Sequence, residues 1–443
     1  MCKHLFVVLS SVVLCLSDLS SAFAKTTFNG YLPNGTPSGA TCSISLPSTS
    51  PTVIYKQSTS PCNLNEVKDF PDVPIRCFTV DNGQFKCYWG NAAYGTRATL
   101  FSNSSRSWDF VKRYCTNVLP KSPNKNIPNN SNNGGPDTFQ NRYWLNSLWK
   151  TDDNNIVAII HNEFHGWETD PKKYCPSSSH TKCWYPNSIA ASSNDKGQSF
   201  KLMTTNDNKQ QLVISTPYQY VPDGGNSSQH QGVVHTSNII KHDSDYYILA
   251  QSSVGSTAHP SQSGVCVYRT QSIQDPTSWL GWHNGQFSVQ NINPYPTKAT
   301  DPENHICQPI PTLKQQGIYS LNGWTYNTAL NRYLAVGIDK NQIIAVVSQG
   351  DDVTKWQLYH PLMKINWISD WVKSKPGSGL TAFAYCSIID LTSRSLDPSH
   401  EDQNFMYSGK NPWLVCTRFN PKQSRGRDNT RDIVGWKMKV DCP

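Results

Sequence analysis

The chain is short of charge, and above all of acids. Only 16% of its 443 residues are Asp, Glu, Lys or Arg, against about 25% in an ordinary globular protein. Its net charge of +8 comes from 31 acidic residues set against 39 Lys and Arg. No dense basic run exists; the nearest, Ser424-Arg425-Gly426-Arg427, is diluted by Asp428, Arg431 and Asp432. Nucleic-acid binding rests on a concentrated phosphate-neutralising patch, so it is not expected here. Also lacking are a CxxC pair, a GxSxG elbow, a P-loop and a Rossmann glycine pattern. Lipase, nucleotide and NAD chemistry therefore have no anchor. Beyond the first residues no apolar stretch approaches the roughly 20 residues that span a bilayer, so no membrane insertion is expected.

The N-terminus reads as a secretory signal peptide over residues 1–24. Lys3 and His4 precede the apolar stretch Leu5–Leu16, and Ala22-Phe23-Ala24 offers small residues for cleavage after Ala24. A secreted protein, extracellular or periplasmic, follows as the expectation. Of 14 cysteines, Cys2 and Cys15 leave with the leader. The even remainder points to a disulfide framework. Two pairs are arguable locally. Cys77 and Cys87 flank a hairpin signal with Gly83 at its left-handed position. Cys175 and Cys183 flank a polar loop that a disulfide would close.

Aromatics are plentiful, with 14 Trp, 20 Tyr and 15 Phe. Short aromatic or β-branched runs alternate with Asn/Asp/Gly/Ser/Pro turns, the signature of strands and hairpins. Helical periodicity is scarce, and Ser105–Cys115 is its best candidate. Residues 25–70 read as an N-terminal extension, irregular or edge-strand in character. Residues 118–141 form a Pro/Asn/Gly loop too polar to pack. Five segments, starting at Pro71, Tyr143, His235, Tyr319 and Ala384, each carry an entry motif, an apolar strand, a polar turn and a return strand. Three are followed by a motif ending in an aromatic: Ser193–Phe200, Arg269–Trp279 and Ser348–Trp356. Radial repetition of strand hairpins is the layout of a β-propeller. The expected fold is all-β, a five-bladed β-propeller over residues 71–443, with six blades also compatible. Residues 25–443 give roughly 84 residues per blade, about twice a tight blade, and the excess must lie in loops.

Ser193-Asn194-Asp195-Lys196-Gly197-Gln198-Ser199-Phe200 fills every defined position of an Asp box and resembles those of sialidase-type propellers. Its Asp pins a β-turn at the blade periphery, so Asp195 is a structural residue. The string from Arg269 to Trp279 resembles the R-T-x-x-x-x-D-P-x-S-W hairpin of arabinanase- and xylosidase-type glycosidases, the five-bladed propellers of glycoside hydrolase family 43. Pro71-Asp72-Val73-Pro74 is similar to the entry strand where that group places its general-base Asp. The resemblance implies hydrolysis of a glycosidic bond, a carbohydrate as partner and Asp72 as general base.

His161-Asn162-Glu163-Phe164-His165 is the sharpest polar constellation. It follows the apolar run Ile156–Ile160, so alternation puts His161, Glu163 and His165 on one face. One carboxylate between two imidazoles suits proton transfer, and Glu163 is assigned as general acid. Glu303 or Asp390 is the candidate third carboxylate, with Glu303 next to His305. Arg76, Arg142 and Arg418, with His161, His165 and His305, are the candidate substrate-binding groups. No metal or other cofactor is expected, although a structural Ca²⁺ on the axis is compatible, and the protein is expected to be a monomer. Two alternatives stand beside hydrolysis by paired carboxylates. One is a non-catalytic secreted propeller binding glycan or host protein. The other is a metal-assisted hydrolase using His161, His165, His235 and His305. Asn34, Asn103 and Asn226 open N-glycosylation sequences.

Overall fold

The computed structural model describes residues 26–442 apart from 32–36, 49, 64–67, 81–82, 92–94, 106, 121–133, 180–181, 207–208, 225–231, 255–261, 296–300, 366–381, 393–401 and 421–429. The expected signal peptide, Asn34, Asn226, the Ser424–Arg427 run and most of the loop at 118–141 lie outside the described residues. The described chain folds as a five-bladed β-propeller. Blade 1 is built from Arg76–Val80, Gln84–Asn91, Gly95–Ser102 and Asp109–Arg113. Blade 2 follows with Arg142–Lys150, Ile156–His165, Trp184–Ser193 and Lys201–Leu202. Blade 3 runs from Gly232–Thr236 through Asp245–Ser253 and Gly264–Thr270 to Leu280–His283 and Gln286–Gln290. Blade 4 contains Leu321–Asn327, Arg332–Asp339, Gln342–Gln349 and Asp352–Lys364.

Blade 5 closes the ring with chain from both ends. Ala382–Ile389, Trp413–Phe419 and Arg431–Lys437 come from the C-terminal side, and Thr52–Tyr55 adds the outermost strand. Thr52–Tyr55 thus falls among the residues expected as an N-terminal extension, yet it is a strand of the propeller itself. A separate three-stranded sheet joins Thr26–Tyr31 and Pro37–Ser45 to Lys439–Asp441. There a Cys42–Cys442 disulfide ties positions 400 residues apart. Each of the five segments recognised in the sequence supplies, or leads into, the two innermost strands of one blade.

Other expectations meet different fates. Cys77 and Cys87 are bonded and stand opposite each other in register, with Gly83 at φ +66°. Cys175–Cys183 is the second local pair, and the rest join as 62–115, 266–307 and 386–416. The helix expected within Ser105–Cys115 is not there: Asp109–Arg113 is the outer strand of blade 1. Pairing with Gly95–Ser102 overrides its weak helical period. The three aromatic-ended motifs all turn the third strand into the fourth, in blades 2, 3 and 4. In the first of them Asp195 Oδ1 accepts from Ser193 Oγ at 2.7 Å and from the Gln198 and Ser199 N–H groups at 2.9 and 3.0 Å. Buried Phe200 packs edge-on to Tyr88 of blade 1, whose hydroxyl donates to the Gly197 carbonyl at 2.7 Å.

The axis holds the feature on which the blades converge. Arg76 opens the innermost strand of blade 1 and is buried. Its guanidinium donates to the carbonyls of Asn146, Thr236 and Asn322 and to the Ser387 hydroxyl at 2.6, 3.3, 2.7 and 2.8 Å. Those acceptors belong to blades 2, 3, 4 and 5 in turn. The innermost strand of each of those blades slips register by one residue at this level, between Leu145 and Ser147, Val233 and Thr236, Leu321 and Gly323, and Ala384 and Ser387. A bulge of this kind takes a residue out of its ladder and leaves a carbonyl to be satisfied elsewhere. Arg76 meets the carbonyls of blades 2, 3 and 4 together and reaches blade 5 through the Ser387 hydroxyl.

Candidate active site

The innermost strands of a propeller run in one sense about the axis, so their N-terminal ends open on one face. The Arg76 layer forms a floor, and the residues just before it in each strand form the mouth. Asp72 reaches the mouth from the lead-in to blade 1, and its backbone N–H donates to the Gly90 carbonyl at 3.0 Å. Blade 2 contributes most. Its first two strands pair Trp144 with His161 and Arg142 with Glu163. Blade 3 adds His235, whose ring lies 4.8 Å from that of His161 and 5.8 Å from that of Tyr385 in blade 5. Tyr385 sits in the bulge of its strand at φ +56°, a region a bulky side chain seldom adopts. That backbone conformation brings its hydroxyl to 3.3 Å from Asp72 Oδ1.

Alternation places His161, Glu163 and His165 together as the sequence pattern requires. His161 Nε2 lies 2.8 Å from Glu163 Oε1, and His165 Nε2 lies 2.7 Å from Glu163 Oε2. Burial acts to raise the Glu163 pKa, but the hydrogen bonds from the two imidazoles outweigh it and hold the carboxyl well below its usual range. Asp72 moves the other way. Burial raises its pKa, the nearby Glu163 charge adds to this, and contact with the Arg431 guanidinium opposes it without cancelling it. His235 is pushed down to about 3 by burial, with the His161 ring and Arg76 adding to the effect. It is a neutral imidazole in the mouth. The side chains of Asp72 and Glu163 keep 21% and 14% exposure, enough for a small group to reach them.

The remaining candidates are dispersed. Arg142 belongs to the mouth but is held by Glu168 through two hydrogen bonds, Nε to Oε2 at 2.8 Å and Nη2 to Oε1 at 2.7 Å. Arg76 lies beneath the mouth with its N–H groups committed to the axis, which makes it a structural residue and not a substrate-binding one. Arg418 donates to Asp432 at 2.7 Å within blade 5. Asp390 follows the far end of the innermost strand of blade 5, about 16 Å from Tyr385 by strand rise. There it caps the Thr392 and Gly409 N–H groups at 2.8 Å each, so it is not the third carboxylate of the mouth. Glu303 and His305 sit in a short 3-10 turn, Pro302–His305, against the outermost strand of blade 3. Glu303 accepts from the Gln262 side chain, and His305 Nδ1 contacts the Gln290 carbonyl at 3.0 Å. That position sets both apart from the Asp72–Glu163 group.

Four histidines from several blades therefore do not converge, because His305 is elsewhere. Among the described residues the one grouping with metal-ligand spacing is Cys175, Cys183 and Asp223, and its two cysteines are bonded to each other. At the floor of the mouth the axis is occupied by the Arg76 guanidinium, which donates to oxygens of four blades.

Sequence reasoning missed Arg431, Tyr385, Trp144 and Glu168. Arg431 starts the third strand of blade 5, stacks between Phe70 and Phe419 at 4.6 and 4.4 Å, and pairs with Asp72. It is 359 residues from Asp72 in the chain, and only ring closure makes them neighbours. Glu168 was within reach, because it lies three residues beyond His165 and both contribute to one charged cluster.

No protein-family model matches the sequence, and no curated protein matches it. Among solved structures, the endo-arabinase from Bacteroides thetaiotaomicron VPI-5482 is 9% identical, with 87% of this chain and 97% of that chain covered at a TM-score of 0.40. The GH43_1 enzyme from Xanthomonas citri, complexed with xylose, is 10% identical, with 88% and 89% covered and a TM-score of 0.37. A glycosyl hydrolase from Bacteroides ovatus is 12% identical, with 94% of each chain covered and a TM-score of 0.38. The five-bladed architecture itself rests on the strand order.

Proposed function

We propose that the protein is a glycan hydrolase whose working acids are Asp72 and Glu163. One observation carries this reading: two carboxyls from adjacent blades face one mouth, in environments that displace their pKa values in opposite directions. Glycosidic cleavage needs one carboxyl protonated and one ionised, flanking the scissile bond. The directions support roles opposite to those expected from the sequence. Asp72, held toward its protonated form, suits the proton donor. Glu163, held as an anion by His161 and His165, suits the base or nucleophile. Neutral His235, the Trp144 indole and the Tyr385 hydroxyl supply acceptor, stacking face and donor for sugar hydroxyls. With its leader removed, such an enzyme would act outside the cell, where six disulfides are stable.

A panel of aryl glycosides and plant and microbial polysaccharides tests the reading. The expected result is turnover of at least one glycoside, with loss of activity in both Asp72→Asn and Glu163→Gln. No turnover across the panel, or turnover that survives both substitutions, would remove it. The second reading is a propeller that binds glycan without cleaving it. It is favoured by the Arg431–Asp72 ion pair, because an acid neutralised by arginine is a poor proton donor until that pair opens. Saturable glycan binding without product release would decide for it.

A further inference from the structure

The two-acid chemistry makes no demand on the short helix Gly166–Thr169, yet that helix sets Glu168 against His165. His165 therefore meets a carboxylate oxygen at each ring nitrogen: Glu163 Oε2 at 2.7 Å from Nε2 and Glu168 Oε2 at 3.2 Å from Nδ1. Nε2 is hydrogen-bonded to Glu163, while Nδ1 meets Glu168 at ion-pair distance without hydrogen-bond geometry, so two carboxylates flanking one ring favour the imidazolium, whose two N–H groups both point at anions. A neutral ring would turn a lone pair toward one of the two acids. Trp167 stacks on the same ring at 4.2 Å and 20°, which fixes its plane and favours a cation. Behind Glu168 stands Arg142, with a bidentate grip that holds the carboxylate in place. Around the His165 ring the charged groups are thus Glu163 on its own strand, Glu168 on the helix and, through Glu168, Arg142 on the innermost strand. Trp184 is its register partner on the third strand.

We propose that Glu168, clamped by Arg142, is a positioning residue that keeps His165 doubly protonated and so presents Glu163 as an oriented anion at the mouth. Glu168 acts on substrate only through His165 and Glu163, and the inference rests on Glu163 being a working acid. Electrostatics agree with the geometry: burial opposes the His165 charge, but its contacts with the Glu163 and Glu168 carboxylates outweigh this and raise its pKa above the ordinary histidine value. Glu168, half-buried beside His165 and Arg142, is held down to about 2, where burial alone would have raised it.

The test follows imidazole resonances of the whole folded protein by NMR across pH, with His165 assigned by its disappearance in His165→Gln. The expected wild-type midpoint lies above the ordinary value of about 6.5. In Glu168→Gln it falls by about 1–3 pH units, the effect of removing an opposite charge at contact distance. Glu168→Asp recovers part of the shift. Glu168→Ala gives the same direction and replaces Glu168→Gln if near-UV circular dichroism shows the latter misfolded. A His165 midpoint unmoved by loss of Glu168, or at or below the ordinary value in the wild type, overturns the proposal. The titration is read without substrate, so the two readings fail separately. An inactive protein with a raised His165 midpoint loses the hydrolase and keeps the network. An active one with an ordinary midpoint does the reverse.

Discussion

Arg113 meets Asp69 end-on inside blade 1, with Nε 3.0 Å from Oδ2, Nη2 2.7 Å from Oδ1 and neither side chain exposed. Arg97 adds a third charged contact at 3.0 Å, and the Tyr55 and Ser60 hydroxyls each donate to Asp69 at 2.7 Å. Tyr55 ends the strand that closes blade 5, so this one carboxylate fastens the closing segment to the first blade. Neither the sequence pattern nor the proposed chemistry singles Asp69 out. Its weight comes from burial.

Asp69→Asn should therefore destabilise the propeller by about 3–5 kcal/mol, the usual cost of stranding buried charges, here two arginines. Burial acts to raise the Asp69 pKa, but Arg113 and the hydroxyl donors outweigh it and hold it far below the ordinary value near 4. A depressed folded pKa gives stability that is fully present above the unfolded value and is lost as the pH falls toward the folded one. Denaturant midpoints measured from pH 6 down to pH 2 should thus fall more steeply for the wild type than for Asp69→Asn. Parallel curves would mean that Asp69 is not ionised in the native protein.

Arg76 gives a second stability prediction. Arg76→Met keeps the side-chain length but takes the side-chain donor from the carbonyls of Asn146 and Asn322, while the Thr236 carbonyl keeps its bond from the Asn146 amide at 2.8 Å. Each buried group left unpaired costs about 1–3 kcal/mol, so a loss of at least about 2 kcal/mol in chemical denaturation is expected. Arg76→Lys should recover only part of it, because one ammonium cannot span the arc of acceptors that a planar guanidinium reaches. A variant as stable as the wild type would show that the bulged strands satisfy one another without the axial cation.

The propeller was legible in the sequence because its signals are local. Strand, turn and return strand recur within about twenty residues, and the hairpin disulfide of Cys77 and Cys87 needs no more than a register count. The blade 2 part of the mouth was legible for the same reason, since His161, Glu163 and His165 alternate along one strand. What escaped depends on closure of the ring. Arg431 joins Asp72, and Arg76 joins four blades, only after the last strand has packed beside the first. Asp390 misled because its neighbour strand does enter the centre, but the residue sits at the wrong end of it. Whether a carboxylate at a strand end faces the mouth or the opposite side depends on strand direction and length, and residue type records neither.

The Cys42–Cys442 bridge closes a loop of 400 residues, for which the chain-entropy argument alone gives about 6 kcal/mol. Thr52–Tyr55 already ties the N-terminal side of the chain into blade 5, so much of that entropy is removed without the bridge. Replacing both cysteines by serine should therefore cost about 1–3 kcal/mol, with blade 5 unchanged in native hydrogen exchange. A loss near the full entropic figure, together with exchange of the Arg431–Lys437 amides, would show that the bridge and not the strand closes the ring.

The assignment of roles to the two acids makes the sharpest prediction. If Asp72 donates the proton, Asp72→Asn should lose about 10²–10⁴-fold in kcat on glycosides with poor leaving groups. It should keep most of its rate on dinitrophenyl glycosides, whose leaving group needs no proton. Glu163→Ala should lose activity on both classes, and added azide should restore the activated substrate by standing in for the missing base or nucleophile. The pH profile follows from the same environments. Activity requires Glu163 ionised and Asp72 protonated, so the acidic limb should lie below the ordinary glutamate value and the alkaline limb above the ordinary aspartate value. In Asp72→Asn the alkaline limb set by this acid should vanish for the activated substrate while the acidic limb stays. The reverse pattern, with Glu163 dispensable on activated glycosides and Asp72 rescued by azide, would restore the roles that the resemblance at Pro71–Pro74 implies. It would also mean that the His161–Glu163–His165 contacts open when a sugar enters the mouth, since a carboxylate held by two imidazoles carries no proton to give.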